Sequence, residues 1–119
     1  MTTLPPILLV EDNPRDEMLI LRAFRKANVA NPIDVVRDGA EALEYLFAVG
    51  AYATRQGGPL PAVVVLDLKL PKMSGLDVLQ RVRADPRTEL LPMVILTSSD
   101  EERDIVSCYR SGANSFVQK

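Results

Sequence analysis

The sequence predicts an α/β domain built on a doubly wound, five-stranded parallel sheet with strand order 2-1-3-4-5. Two observations carry this expectation. Short, continuous apolar runs alternate with segments of helical period, in the order βαβαβαβαβ, which implies a parallel sheet with helices on both faces. Runs such as Ile7-Leu8-Leu9-Val10 and Ala62-Val63-Val64-Val65-Leu66 are apolar at every position, as strands buried on both faces are. Right-handed crossovers then restrict the topology.

The elements follow in order. Ile7–Val10 is the first strand. Asn13 caps the helix after it, and Pro14 suits the first helical position because its missing N–H would be unpaired there. Ile20, Ala23, Phe24 and Ala27 share one face of that helix. Ile33–Val36 is a second strand, whose Asp34 marks an edge position. Asp38-Gly39 turns the chain into a helix over 40–49 with a stripe of Leu43, Leu46 and Phe47. The segment 50–61 holds Gly57, Gly58, Pro59 and Pro61 and reads as loop. Ala62–Leu66 is the third strand. Ser74 caps a third helix bearing Leu76, Leu79 and Val82, which Asp85-Pro86 ends. Met93–Leu96 is the fourth strand. Ser98 or Ser99 caps a fourth helix, with Asp100, Glu101 and Glu102 in the first turn where the helix dipole favours acids. Gly112 closes it, and Ser115–Gln118 is the fifth strand.

Composition narrows the chemistry. The 119 residues suffice for one core. Net charge is -2, so no basic surplus offers nucleic acid a footprint. There is no histidine, which removes Ser-His-Asp catalysis and His-ligated zinc. Cys108 is the one cysteine, so no internal disulfide forms, and a cytoplasmic location is expected. The first residues show no secretory signal, and no apolar run is long enough to span a membrane.

In open α/β sheets the functional crevice lies outside the carboxyl ends of the strands, where the strand order reverses. Here that is between strands one and three. Glu11 and Asp12 follow strand one, Asp67 follows strand three, Thr97 strand four and Lys119 strand five. Four separate strand ends each supply a group. Three crowded carboxylates repel, by about 4 kcal/mol per pair at 4 Å and an effective dielectric near 20. Such a cluster must hold protons or a cation. With oxygen donors only, the cation is hard: Mg2+, with Mn2+ as the alternative.

These residues resemble the receiver domain of two-component response regulators. The matching pieces are Leu8-Leu9-Val10-Glu11-Asp12-Asn13, the run Leu66-Asp67-Leu68-Lys69-Leu70-Pro71-Lys72-Met73-Ser74-Gly75, then Ile95-Leu96-Thr97-Ser98-Ser99, and Gly112-Ala113-Asn114 with Lys119. The resemblance implies a flavodoxin-like fold and a phosphorylation-controlled signalling switch rather than an enzyme. It implies that Asp67 is the phosphoacceptor, that Asp12 binds the metal directly, and that Glu11 assists. The carbonyl of Lys69 completes the metal site, Thr97 and Lys119 contact the phosphoryl group, and Phe116 is the aromatic rotamer switch. It also implies a histidine kinase acting in trans and a downstream protein target. The loop before strand three and Thr97-Ser98-Ser99 resemble the single-domain regulators paired with phytochrome-type kinases.

Two departures from the family stand out. Position 69 is often Asn in that subgroup and is Lys here; a carbonyl ligand does not depend on its side chain. The family continues past the lysine into a fifth helix, so residues 1–119 are expected to form a C-terminally incomplete receiver domain. Its uncovered strand face beside the first helix is expected to need further chain or a second copy, making a homodimer. Three other functions fit less well. An aspartyl phosphohydrolase typically carries an acid two residues after the nucleophile, where Lys69 stands. An FMN carrier would suffer repulsion between Glu11-Asp12 and the phosphate. A degenerate receiver, acting only as a binding module, would not keep the acids, hydroxyl and lysine intact.

Overall fold

A computed structural model describes residues 4–97 and 102–118. The elements are β1 (Ile7–Val10), α1 (Pro14–Lys26), β2 (Ile33–Val36), α2 (Gly39–Phe47), a 3-10 segment (Gly50–Arg55), β3 (Val63–Asp67), α3 (Gly75–Ala84), β4 (Met93–Thr97), α4 (Glu102–Arg110) and β5 (Ser115–Gln118). All strand pairs are parallel, in the order β2-β1-β3-β4-β5. The expected architecture and strand order are therefore those observed. The expected caps at Ser98 or Ser99 and the acids Asp100 and Glu101 lie outside the described residues.

Strand alternation divides the core. Leu8 and Val10 of β1 face the larger cluster, with Val64, Leu66, Met93 and Ile95 from β3 and β4. Ala42, Tyr45 and Leu46 of α2, Val78, Leu79 and Val82 of α3, and Cys108 of α4 complete it. Ile7, Leu9 and Val65 face the other way, against Ile20, Leu21 and Phe24 of α1. On that second face Val65 is buried, Val63 and Leu96 are half-buried, and Val117 is exposed. A shallow cavity of about 210 Å³ lies there, lined by Asp16, Leu19, Ile20, Ala23 and Leu96.

Several boundaries differ from expectation, each for a local reason. α2 runs from Gly39 to Phe47 rather than from 40 to 49, because Ala48 takes a left-handed conformation with φ +54°. Its buried face is Ala42, Tyr45 and Leu46, whereas Leu43 and Phe47 are half-buried. Tyr45 can be buried because its hydroxyl donates to Asp34 Oδ2 at 2.5 Å. Burial and that acceptor push the phenol pKa up. The segment 50–61 is not all loop, since Gly50–Arg55 forms 3-10 turns. Arg55 stacks on the Tyr45 ring at 3.7 Å and holds this segment against α2. β3 is shifted by one residue and includes Asp67, because its ladder with β4 continues to the pair Asp67–Leu96. β4 likewise extends to Thr97.

Two glycines let elements approach the loop that follows Asp67. At Gly75 a Cβ would sit 2.3 Å from the Asp67 carbonyl oxygen and 2.9 Å from Leu68 Cα. At Gly39 it would sit 2.6 Å from the Met73 carbonyl oxygen. Both obstacles are backbone, so neither can swing aside. Gly75→Ala is expected to lower the unfolding free energy by about 1–3 kcal/mol. Gly57→Ala, with no atom within 4 Å and φ +79°, should carry only the left-handed backbone cost of about 1–2 kcal/mol. Urea denaturation of the two variants measures the difference.

Candidate phosphoacceptor and metal site

The β1–β3 register builds the site. Val10 stands opposite Leu66, so the next residues, Glu11 and Asp67, leave adjacent strands side by side. Glu11 is fully buried, Asp67 is 7% exposed, and Asp12 lies in solvent. One carboxylate oxygen from each of Glu11, Asp12 and Asp67 lies within 4.8 Å of the other two. The backbone fixes this arrangement. The Glu11 N–H donates to the Val36 carbonyl at 3.0 Å. The Asn13 N–H donates to Glu11 Oε1 at 3.3 Å. Asn13 then turns the chain into α1, its side chain accepting from the N–H groups of Arg15 and Asp16.

Across the crevice, the loop from β3 to α3 is held from several sides. The Lys69 N–H donates to Asp67 Oδ1 at 3.1 Å, which orients the carboxylate. The Leu68 N–H reaches the Leu96 carbonyl at 3.1 Å, and the Gly75 N–H returns to the Leu68 carbonyl at 2.9 Å. Lys72 has φ +66°, and its ammonium lies 3.4 Å from Asp38 Oδ2. The other Asp38 oxygen caps α2 by accepting from the Glu41 N–H at 2.8 Å. That backbone N–H, and secondarily Lys72, hold the Asp38 carboxyl below its usual value.

The remaining expected site residues fall as follows. Thr97 ends β4 and is 1% exposed. The Lys69 side chain is exposed. Phe116 lies in β5, half-buried against the larger core cluster. Lys119 lies outside the described residues. The supporting contacts of Gly39, Gly75, Asp38 and Lys72 were not read from the sequence. Ser74-Gly75, a cap followed by glycine at a strand-to-helix turn, was the available signal.

A group of oxygen donors this close suits a hard divalent cation, which carboxylates, carbonyls and water bind. No nitrogen or sulfur ligand is among them.

The fold and this acid cluster find their counterpart in known proteins. The profile of the response regulator receiver domain matches residues 7–119, and the chain belongs to that family. Receiver domains are phosphoryl-accepting signalling switches of two-component systems. The structure of the bacteriophytochrome response regulator AtBRR is similar, with a TM-score of 0.90 and 54% identity, covering 99% of this chain and 84% of that one. Response regulator Rcp1 of Synechocystis sp. is 33% identical over 117 residues, 97% of this chain and 78% of its own length. Its Mn2+-bound crystal structure gives a TM-score of 0.88 at 32% identity, covering 97% and 81% of the two chains. The phosphorylated cyanobacterial phytochrome response regulator RcpA gives 0.88 at 38% identity, covering 98% and 81%.

Crowding three carboxylates has an energetic signature. At 4.8 Å and an effective dielectric near 20, an ionised pair repels by about 3 kcal/mol. Asp67→Asn keeps an oxygen acceptor for the Lys69 N–H and removes one charge. In EDTA at neutral pH the variant should equal or exceed the parent in stability, because two of the three repelling pairs are gone. Urea denaturation with and without Mg2+ checks this, and the advantage should shrink when Mg2+ is added.

Proposed function

We propose that Asp67 accepts a phosphoryl group from a phosphohistidine on a separate histidine kinase, in a reaction requiring a divalent cation, Mg2+, with Mn2+ as a substitute. The observation that carries this reading is the convergence of Glu11, Asp12 and Asp67 within 4.8 Å at the ends of β1 and β3. A carboxylate beside such a cation is a competent nucleophile for phosphoryl transfer. An Asp67 oxygen attacks phosphorus, forming a P–O bond as the P–N bond breaks. The imidazole leaves with the electron pair and, protonated on its other nitrogen, departs neutral. The sequence itself contains no histidine, in keeping with a donor on another protein.

Asp12, Glu11 and the Lys69 carbonyl, with Asp67, are the groups we assign to the cation. When bound, the cation neutralises charge on the transferring phosphoryl oxygens. Thr97 and Lys119 are assigned to those oxygens as hydroxyl and ammonium partners. The resulting acyl phosphate acts as a signal, through Thr97 and a change of the Phe116 rotamer, by altering protein contacts around α4 and β5. A two-state side chain is the kind of element such switching needs. The likeness to bacteriophytochrome regulators and to RcpA supports a phytochrome-type kinase as donor; the signal passes on to a downstream protein target.

Intact-mass measurement after incubation with acetyl phosphate tests the acceptor. The wild-type protein should gain one phosphoryl group with Mg2+ and none in EDTA, and Asp67→Asn should gain none. Unchanged labelling of Asp67→Asn would move the acceptor elsewhere. Asp12→Ala should weaken Mg2+ binding more than Glu11→Ala in a fluorescence or calorimetric titration; the reverse order contradicts the ligand assignment. Thr97→Ala should still take up phosphate yet lose the response of amide exchange around α4 and β5.

A further inference from the structure

Arg83 stands in the last turn of α3, on a different side of the fold from the acid cluster. Its guanidinium makes four hydrogen bonds to carbonyl-type oxygens. Nε donates to the Gly112 carbonyl at 2.9 Å. Nη1 donates to the carbonyls of Glu89 and Leu91 at 2.9 and 2.7 Å. Nη2 donates to Asn114 Oδ1 at 2.8 Å. Asn114 is itself fixed to the start of β4: its Oδ1 accepts from the Met93 N–H at 2.8 Å, and its N–H donates to the Met93 carbonyl at 2.9 Å. One side chain thus joins α3, the turn into β4, the end of α4 and the approach to β5. Burial pushes the guanidinium pKa down, because the charge loses water around it.

Both ends of this connection are firm. On one side, the buried Thr88 hydroxyl donates to the Val82 carbonyl at 2.7 Å and ties the 85–91 turn to α3. On the other, α4 ends with Gly112 at φ +99°, with the Ala113 N–H on the Cys108 carbonyl at 3.0 Å and the Gly112 N–H on the Tyr109 carbonyl at 3.1 Å. Those carbonyls are the groups a helix end leaves open. Cys108 is buried in the core, and a Cβ on Gly112 would meet Arg83 Nε at 2.8 Å. The other end of α4, Glu102, lies five residues after Thr97.

We propose that Arg83 is a fixed pivot for α4: it pins the Gly112 end, so that phosphorylation of Asp67 swings the Glu102 end instead of sliding the whole helix. The pivot rests on the phosphoryl-switch reading above for its trigger, but the anchoring contacts exist in the resting protein. Arg83 is a positioning residue. Its planar fork spans oxygens on separate segments, which the point ammonium of lysine cannot do.

Amide hydrogen exchange on the 119-residue protein tests this in two states. In the resting state, Arg83→Met and Arg83→Lys should both raise exchange at Gly112, Ala113 and Asn114 by about tenfold or more, with smaller changes over 102–106. Wild-type exchange at those three amides, or full rescue by lysine, overturns the anchor. After acetyl phosphate and Mg2+, the wild type should change over 102–106 and hold over 108–114, whereas the variants should change along the whole helix. An equal response at both ends of wild-type α4 overturns the pivot, and needs no variant to fold. If intact mass shows no phosphoryl gain, the switch reading and the swing fail together, while the resting-state exchange still reports the anchor separately.

Discussion

The β1–β3 register is the constraint on which the site depends. Parallel pairing of Val10 with Leu66 forces Glu11 and Asp67 to leave the sheet as neighbours, and Asp12 follows at once. The sheet cannot spread these acids without breaking a ladder whose side chains are almost all buried. The sheet therefore keeps one oxygen from each of three carboxylates within 4.8 Å of the others, an arrangement that suits a hard divalent cation.

The loop beyond Asp67 is kept in place by close backbone approach as well as by side chains. Gly75 allows α3 to start directly against the Asp67 carbonyl, and Gly39 allows α2 to press on Met73. The ion pair between Lys72 and Asp38 adds to this, but Lys72 is largely exposed, and such pairs contribute about 1 kcal/mol or less. At the far side of α3, Arg83 uses a different device, a charged fork satisfied by carbonyl groups. The Asp67 loop and the end of α4 are thus tied to opposite ends of one short helix.

Much of this was legible in the sequence, for specific reasons. The apolar runs in β1, β3 and β4 have no solvent face, so their order and the crevice at their ends follow from topology. The placement of Glu11, Asp12, Asp67 and Thr97 at the strand ends was legible because strand ends in such a sheet are fixed points. The 3-10 turns of Gly50–Arg55 were not, since their short i→i+3 bonds leave no α-helical period and the Gly57-Gly58-Pro59 run just beyond them reads as loop. Leu43 and Leu46 pack on the core as the stripe of α2 suggests, whereas the burial of Tyr45 was illegible because its hydroxyl pairs with Asp34, eleven residues away. The work of Arg83 was illegible for the same reason: its acceptors are mostly backbone carbonyls, which sequence does not distinguish.

The central claim is that the ends of β1 and β3 form one divalent-cation site. Paramagnetic broadening of backbone amide resonances by substoichiometric Mn2+ tests it most directly. Amides of residues 11–13 and 67–69 should broaden first and together, and excess Mg2+ should restore them. Broadening centred on other acids, such as Asp77 and Asp85 of α3 and its following turn, or broadening that Mg2+ does not reverse, would contradict the account.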